Sequence, residues 1–158
     1  MIKSWMVIGA VTLLVGFLSS RLLSARDNRW FFRLRRPDWL VFERAIPLIW
    51  TVIFICAAWS AYWVWEANPG TGKSWALMGF YLWLEVVTLA YTVVMCKLRS
   101  LRVGVIIGSL CVASSVLLAL MVRSISIGAS LLLLPYILWS PIGTYVTWEM
   151  LRLNPSER

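Results

Sequence analysis

Histidine is absent from the 158 residues. Its absence removes the commonest metal ligand, the usual axial ligand of haem iron and the side chain that titrates nearest neutral pH. Charge is scarce too. Asp, Glu, Lys and Arg make up 14% of the chain, against about 25% in a soluble domain. Only three cysteines occur, Cys56, Cys96 and Cys111, each in or beside an apolar run. That number supports no disulfide framework. No zinc ligand set, paired carboxylates or nucleophile–base pair can be assembled from what remains. Metal chemistry and ordinary hydrolytic catalysis therefore have no residues to stand on.

What is present is apolar and aromatic: 61% of residues are hydrophobic and 11 are tryptophan. The apolar residues fall into five runs long enough to cross a hydrocarbon core of about 30 Å, which takes roughly 20 helical residues. The spans are placed at about 4–22, 45–65, 74–96, 103–122 and 124–148, with a loop over 23–44. The chain is expected to be a single integral-membrane domain over residues 1–158, an all-α bundle of five transmembrane helices. The first run, bracketed by Lys3 and Arg21, reads as a span and not as a cleaved signal, because it exceeds a signal core and four more spans follow. Trp50 near one end of the second span and Trp59, Trp63 and Trp65 near the other suit the membrane–water boundary. The fifth span is long enough to bend, and Pro135 and Pro141 each remove a backbone donor there.

Net charge is +8, yet no soluble basic module remains for a nucleic acid once the spans are set aside. The basic residues set orientation instead. Lys3, Lys73 and Arg123 fall on one side of the membrane. Arg21, Arg26, Arg29, Arg33, Arg35, Arg36, Arg44, Lys97, Arg99, Arg102, Arg152 and Arg158 fall on the other. The excess places the first loop and the C-terminus in the cytoplasm and the N-terminus outside.

Glu85 stands near the middle of the third span, where an ionised carboxylate costs at least about 2.5 kcal/mol. Helical spacing aligns it with Tyr81, Thr88 and Thr92. A second polar seam runs along the fifth span through Tyr136, Ser140, Gly143 and Thr147, with Trp139 beside it. Two such seams in lipid must face each other or a cavity. They act either as hydrogen-bond glue between helices or as the polar anchors of a ligand pocket. Gly104 and Gly108 form a GxxxG pair, a packing face within the bundle or between subunits, and Gly9 and Gly16 are expected to pack likewise. Residues 67–74, ANPGTGKS, fit a relaxed phosphate-loop pattern. That motif needs a buried strand before it and a soluble α/β domain around it; between two spans it reads as a turn.

Two stretches resemble the translocator protein / tryptophan-rich sensory protein family (TspO/MBR). The first is Arg36-Pro37-x-Trp39 followed by Trp50, Phe54, Tyr62 and Val64-Trp65. The second is Leu134-Pro135-Tyr136-x-x-Trp139 with Arg152-x-Asn154. There are departures: Val41 and Phe42 replace the family's usual prolines after the loop tryptophan, and Thr88 and Tyr91 stand for its Asn–Trp pair. The resemblance implies a five-helix bundle, often a homodimer in the lipid bilayer, that binds protoporphyrin IX-like tetrapyrroles or sterol-like small molecules beneath the first loop. No cofactor is required, and no metal is implied. Carried residue by residue, it implies a ligand site of Trp39, Trp50, Tyr62, Thr88, Tyr136, Trp139, Gly143 and Thr147. Trp50 and Trp139 would act on the ligand if porphyrin is degraded. Three roles stay open on this reading: sensor, transporter, and light-dependent porphyrin-degrading protein.

Overall fold

A computed structural model describes residues 3–157. Among these, five helices are long and apolar enough to cross a membrane. They are α1 (Ser4–Arg21), α3 (Ile46–Ala67), α4 (Gly72–Leu98), α5 (Leu101–Arg123) and the pair α6 (Ile127–Leu131) with α7 (Leu134–Leu153). A short helix, α2 (Ala25–Arg33), lies in the first loop. The chain is an all-α integral membrane protein of multi-pass type. Its exterior fits lipid as solvent: α1 buries no residue and exposes Trp5, Leu13, Leu14, Phe17 and Leu18. Aliphatic side chains are content to face acyl chains, so exposure of this kind carries no cost in a bilayer.

The helix boundaries follow from local chemistry. Pro47 sits in the first turn of α3, where a missing N–H is harmless. The motif-like segment 67–74 is the α3–α4 turn. Gly70 takes φ 78°, a conformation that favours glycine, and the Thr71 hydroxyl accepts from the Ser74 amide at 3.2 Å to cap α4. The fifth span breaks outright where a bend was expected. After Leu131 the helix lapses for two residues and restarts at Leu134. Pro135 thereby occupies the first turn of α7, the one place where it removes no hydrogen bond. Ser126 caps the short α6 through the Ala129 amide at 3.2 Å.

Packing is closest between α5 and α7, and the glycine pair explains why. A Cβ on Gly104 would lie 3.0 Å from Thr147 Cγ2 of α7 and 2.5 Å from Met95 Sδ of α4, and one on Gly108 would lie 2.5 Å from Thr144 Oγ1 of α7. This small-residue face is therefore internal. A Cβ on Gly9 or Gly16 meets nothing within 4 Å, so of the two expected uses, packing within the bundle or between subunits, the first does not apply to them. A buried polar node ties α3, α4 and α6 together. Ser60 Oγ lies 2.6 Å from Tyr81 Oη and donates to the Ala129 carbonyl at 2.6 Å.

The first loop is folded onto the end of the bundle. A capping box opens α2: the Ser24 amide donates to Asp27 Oδ2 at 2.9 Å, and Asp27 N–H donates to Ser24 Oγ at 3.3 Å. Trp30 is buried among Leu34, Met95, Cys96, Leu101 and Met150, and its indole N–H donates to Glu157 at 2.8 Å. Asn154 completes the clamp. Its Oδ1 accepts from the Arg35 amide at 2.9 Å and its Nδ2 donates to the Arg35 carbonyl at 3.0 Å. The Ser24 backbone hydrogen bond, and then the Ser24 hydroxyl, hold the Asp27 carboxyl below its ordinary pKa. A depressed folded pKa stabilises α2 in full above the unfolded value and is lost as pH falls through the folded one. Protection of the amides across 25–33, taken relative to their intrinsic exchange rates, is therefore expected to fall below about pH 4, while α4 and α5 stay protected.

Candidate ligand-binding site

A cavity of about 370 Å³ opens between α3, α4, α5 and α7 beneath the first loop. That volume lies in the range of small-molecule sites. Its walls are aromatic. Trp50 on α3 meets Tyr136 on α7 edge-on with ring centroids 5.9 Å apart, and Phe54 lies tilted against Trp50 at 5.9 Å. Trp139 lies one turn beyond Tyr136 and meets Phe42 of the loop edge-on at 6.1 Å. Phe31 and Arg36 form the roof.

The two polar seams meet across this space. The hydroxyls of Thr88 and Tyr136 are hydrogen-bonded, as are those of Tyr91 and Thr147. Thr88 Oγ1 also donates to the Leu84 carbonyl at 2.6 Å and approaches Cys111 Sγ at 4.0 Å. The glue reading thus accounts for these four hydroxyls. It does not account for two donors. The Trp139 indole N–H and Arg36 Nη2 are buried and have no partner among the described residues. The rest of the Arg36 guanidinium is engaged, with Nε donating to Glu43 at 2.7 Å and Nη1 to the Leu34 carbonyl at 3.3 Å. Unpartnered buried donors are uncommon and costly, about 1–3 kcal/mol each. A guest with an apolar, flat body and an acceptor or anionic edge would satisfy both.

Six of the eight residues singled out in the sequence line this cavity: Trp50, Thr88, Tyr136, Trp139, Gly143 and Thr147. A Cβ on Gly143 meets nothing within 4 Å, so that position opens the cavity instead of tightening a helix contact. Trp39 and Tyr62 do not line it. Trp39 is exposed on the outer face of α7, stacked on Tyr145 at 5.9 Å, with its N–H donating to Glu149 at 2.7 Å. It pins the loop to α7 and reaches Trp139 only through Phe42. Tyr62 projects from another face of α3. Sequence reasoning passed over Phe31, Cys111 and Thr144 as lining residues, and it did not single out Arg36 among the first-loop arginines that suit a ligand's carboxylates. For Thr144 the signal was legible, one helical turn beyond Ser140; for Phe31 and Arg36 it was not, because α2 had not been recognised as a roof. The split of the α4 stripe was also unforeseen: Thr88 and Thr92 face this cavity, whereas Tyr81 and Glu85 face a different one.

Comparison with known proteins agrees with this architecture. The chain is 28% identical over 141 residues to the uncharacterized membrane protein YtaB of Bacillus subtilis, covering 87% of this chain and 88% of that one. It is 25% identical over 138 residues to the tryptophan-rich protein TspO of Bacillus cereus, covering 87% and 89%. It is 22% identical over 144 residues to the translocator protein of Ovis aries, covering 90% and 85%. The profile of the TspO/MBR family matches residues 7–153, from within α1 to the last residue of α7, so it takes in most of the first span and the whole of the other four, and the chain belongs to the TspO/MBR family.

Proposed function

We propose that the protein binds tetrapyrroles of the protoporphyrin IX type in the cavity beneath the first loop, and acts as a membrane-embedded sensor or regulator of their handling. One observation carries the reading. An aromatic-walled hollow in the bilayer keeps two buried hydrogen-bond donors, Trp139 Nε1–H and Arg36 Nη2, without partners among the described residues. A porphyrin macrocycle is flat and apolar and gains from contact with indole faces. Its propionates are acceptors of the kind a guanidinium binds well. The chain has no histidine to ligate iron, which favours the metal-free macrocycle as guest. On this reading the basic first loop faces the cytoplasm.

Titration of purified protein with protoporphyrin IX, read by quenching of tryptophan fluorescence, tests the proposal. The parent is expected to bind with micromolar or tighter Kd. Each indole contact is worth about 0.5–1.5 kcal/mol, so Trp50→Phe with Trp139→Phe should raise Kd by about tenfold or more. An unchanged Kd in the double variant would rule out this cavity as the site. Product formation under light beyond one molecule per protein would add catalysis to binding, with Trp50 and Trp139 as the residues involved.

A further inference from the structure

A second cavity, of about 560 Å³, lies between α1, α3 and α4. It runs from Ser4, Trp65 and Trp75 at the end of the bundle away from α2 to Thr12, Glu85 and Tyr136 in the middle. Ser4 and Thr12 are eight residues apart on α1, so the hollow is about 12 Å long at 1.5 Å per residue. Its lining is apolar except for a few groups, and one of these is out of place. Glu85, midway along α4, has Oε1 buried and without a partner among the described residues. Its Oε2 receives only a long hydrogen bond from Thr12, at 3.4 Å. None of the residues lining the cavity is basic.

We propose that this cavity is a binding site for a lipophilic amine, anchored by the Glu85 carboxyl with the ligand's hydrocarbon chain lying toward Trp65 and Trp75. An ionised carboxylate at mid-span needs both a hydrogen-bond donor and a compensating positive charge, and the described residues supply neither to Oε1; alone, the group rests as the neutral acid. An amine brings both. The proton that a neutral amine gains is the one the carboxyl gives up: an N–H bond forms as the O–H bond breaks. The resulting pair carries no net charge in the hydrocarbon region. A fatty acid would bring a second acid and no positive charge, and an alcohol would supply a donor without the charge. The site is separate from the tetrapyrrole reading, although Tyr136 forms a wall of both cavities.

The test uses the full chain in nanodiscs of zwitterionic lipid and a long-chain alkyl amine bearing a photoreactive diazirine, with the alcohol and carboxylic acid of equal chain length as controls. Labelling by the amine is expected to map to α1, α3 and α4, and to saturate at a concentration about tenfold or more below either control. Glu85→Gln should weaken the amine by about tenfold or more while leaving the alcohol unchanged. Equal labelling by amine and alcohol, an amine affinity indifferent to Glu85→Gln, or labels mapping outside these helices would each overturn the proposal. Protoporphyrin titration of the variant reports whether its fold is intact. If it is not, displacement on the parent decides: unlabelled amine must compete about tenfold better than unlabelled alcohol, and equal competition overturns the site. Failure here leaves the porphyrin reading untouched, because that reading depends on the other cavity.

Discussion

Gly108→Leu is expected to destabilise the bundle by about 1–3 kcal/mol, as overpacking does, and to abolish tight porphyrin binding in the same variant. A Cβ alone at this position would stand 2.5 Å from Thr144 Oγ1, 3.2 Å from its Cγ2 and 3.3 Å from its Cβ. Thr144 cannot simply swing aside. It is β-branched and stiff at χ1, and its hydroxyl donates to the Ser140 carbonyl at 2.9 Å. The helices α5 and α7 must therefore separate, or the new side chain must turn into the cavity that Gly108 already lines. Either outcome removes room for a flat guest. Gly143→Ala is the contrast. It lines the same cavity, but its added methyl meets nothing within 4 Å. It should leave stability almost unchanged and alter binding only by trimming the hollow. Denaturant midpoints in detergent, paired with protoporphyrin Kd values, separate the two effects. A Gly108→Leu protein that binds as well as the parent would mean that the cavity is not where the ligand sits.

The five spans were legible because lipid leaves the sequence little choice. Runs of about 20 residues without charge form helices there, since no other structure satisfies their backbone groups. The pairing of the two polar seams was legible for the same reason. Thr88 and Tyr136 turn their hydroxyls to each other, and Thr88 also to the Leu84 carbonyl, because no water is at hand. What escaped the sequence was set by tertiary contact. The α6–α7 break falls at Leu132–Leu133, and the prolines gave notice of a disturbance without saying whether the helix would bend or lapse. Trp39 and Trp50 look alike in the chain. One is drawn outward by Glu149 and Tyr145, the other inward by Tyr136 and Phe54. No periodicity within residues 23–44 could show that distinction, because the partners lie about 100 residues away. The same holds for Glu85 and Thr88. They are less than one turn apart, and the three-residue step turns them into different cavities.

Trp30→Ala is expected to cost about 3–5 kcal/mol, the range for emptying a large aromatic site, and to weaken porphyrin binding although Trp30 is not itself a wall of the cavity. The ring is 3% exposed and fills the space between α2 and the ends of α4, α5 and α7, against Met95, Cys96, Leu101 and Met150. Its N–H holds Glu157 at 2.8 Å. Without it, α2 keeps its capping box, the Asn154 clamp on Arg35 and the packing of Leu34 and Phe31 at the same end of the bundle. The hydrogen bonds among these are exposed and hold the helix weakly. Phe31 follows Trp30 directly, and Arg36 lies six residues on; both form the roof of the cavity. Loosening α2 therefore withdraws an aromatic wall and the Arg36 donor together. Trp30→Phe divides the contributions: it retains most of the packing and loses only the bond to Glu157, so its cost should be nearer 1 kcal/mol. Hydrogen exchange over residues 25–36 and porphyrin titration should move together in Trp30→Ala and scarcely at all in Trp30→Phe. If Trp30→Ala exposes those amides while Kd stays at the parent value, the first loop is no roof, and the ligand is held by α3, α4, α5 and α7 alone.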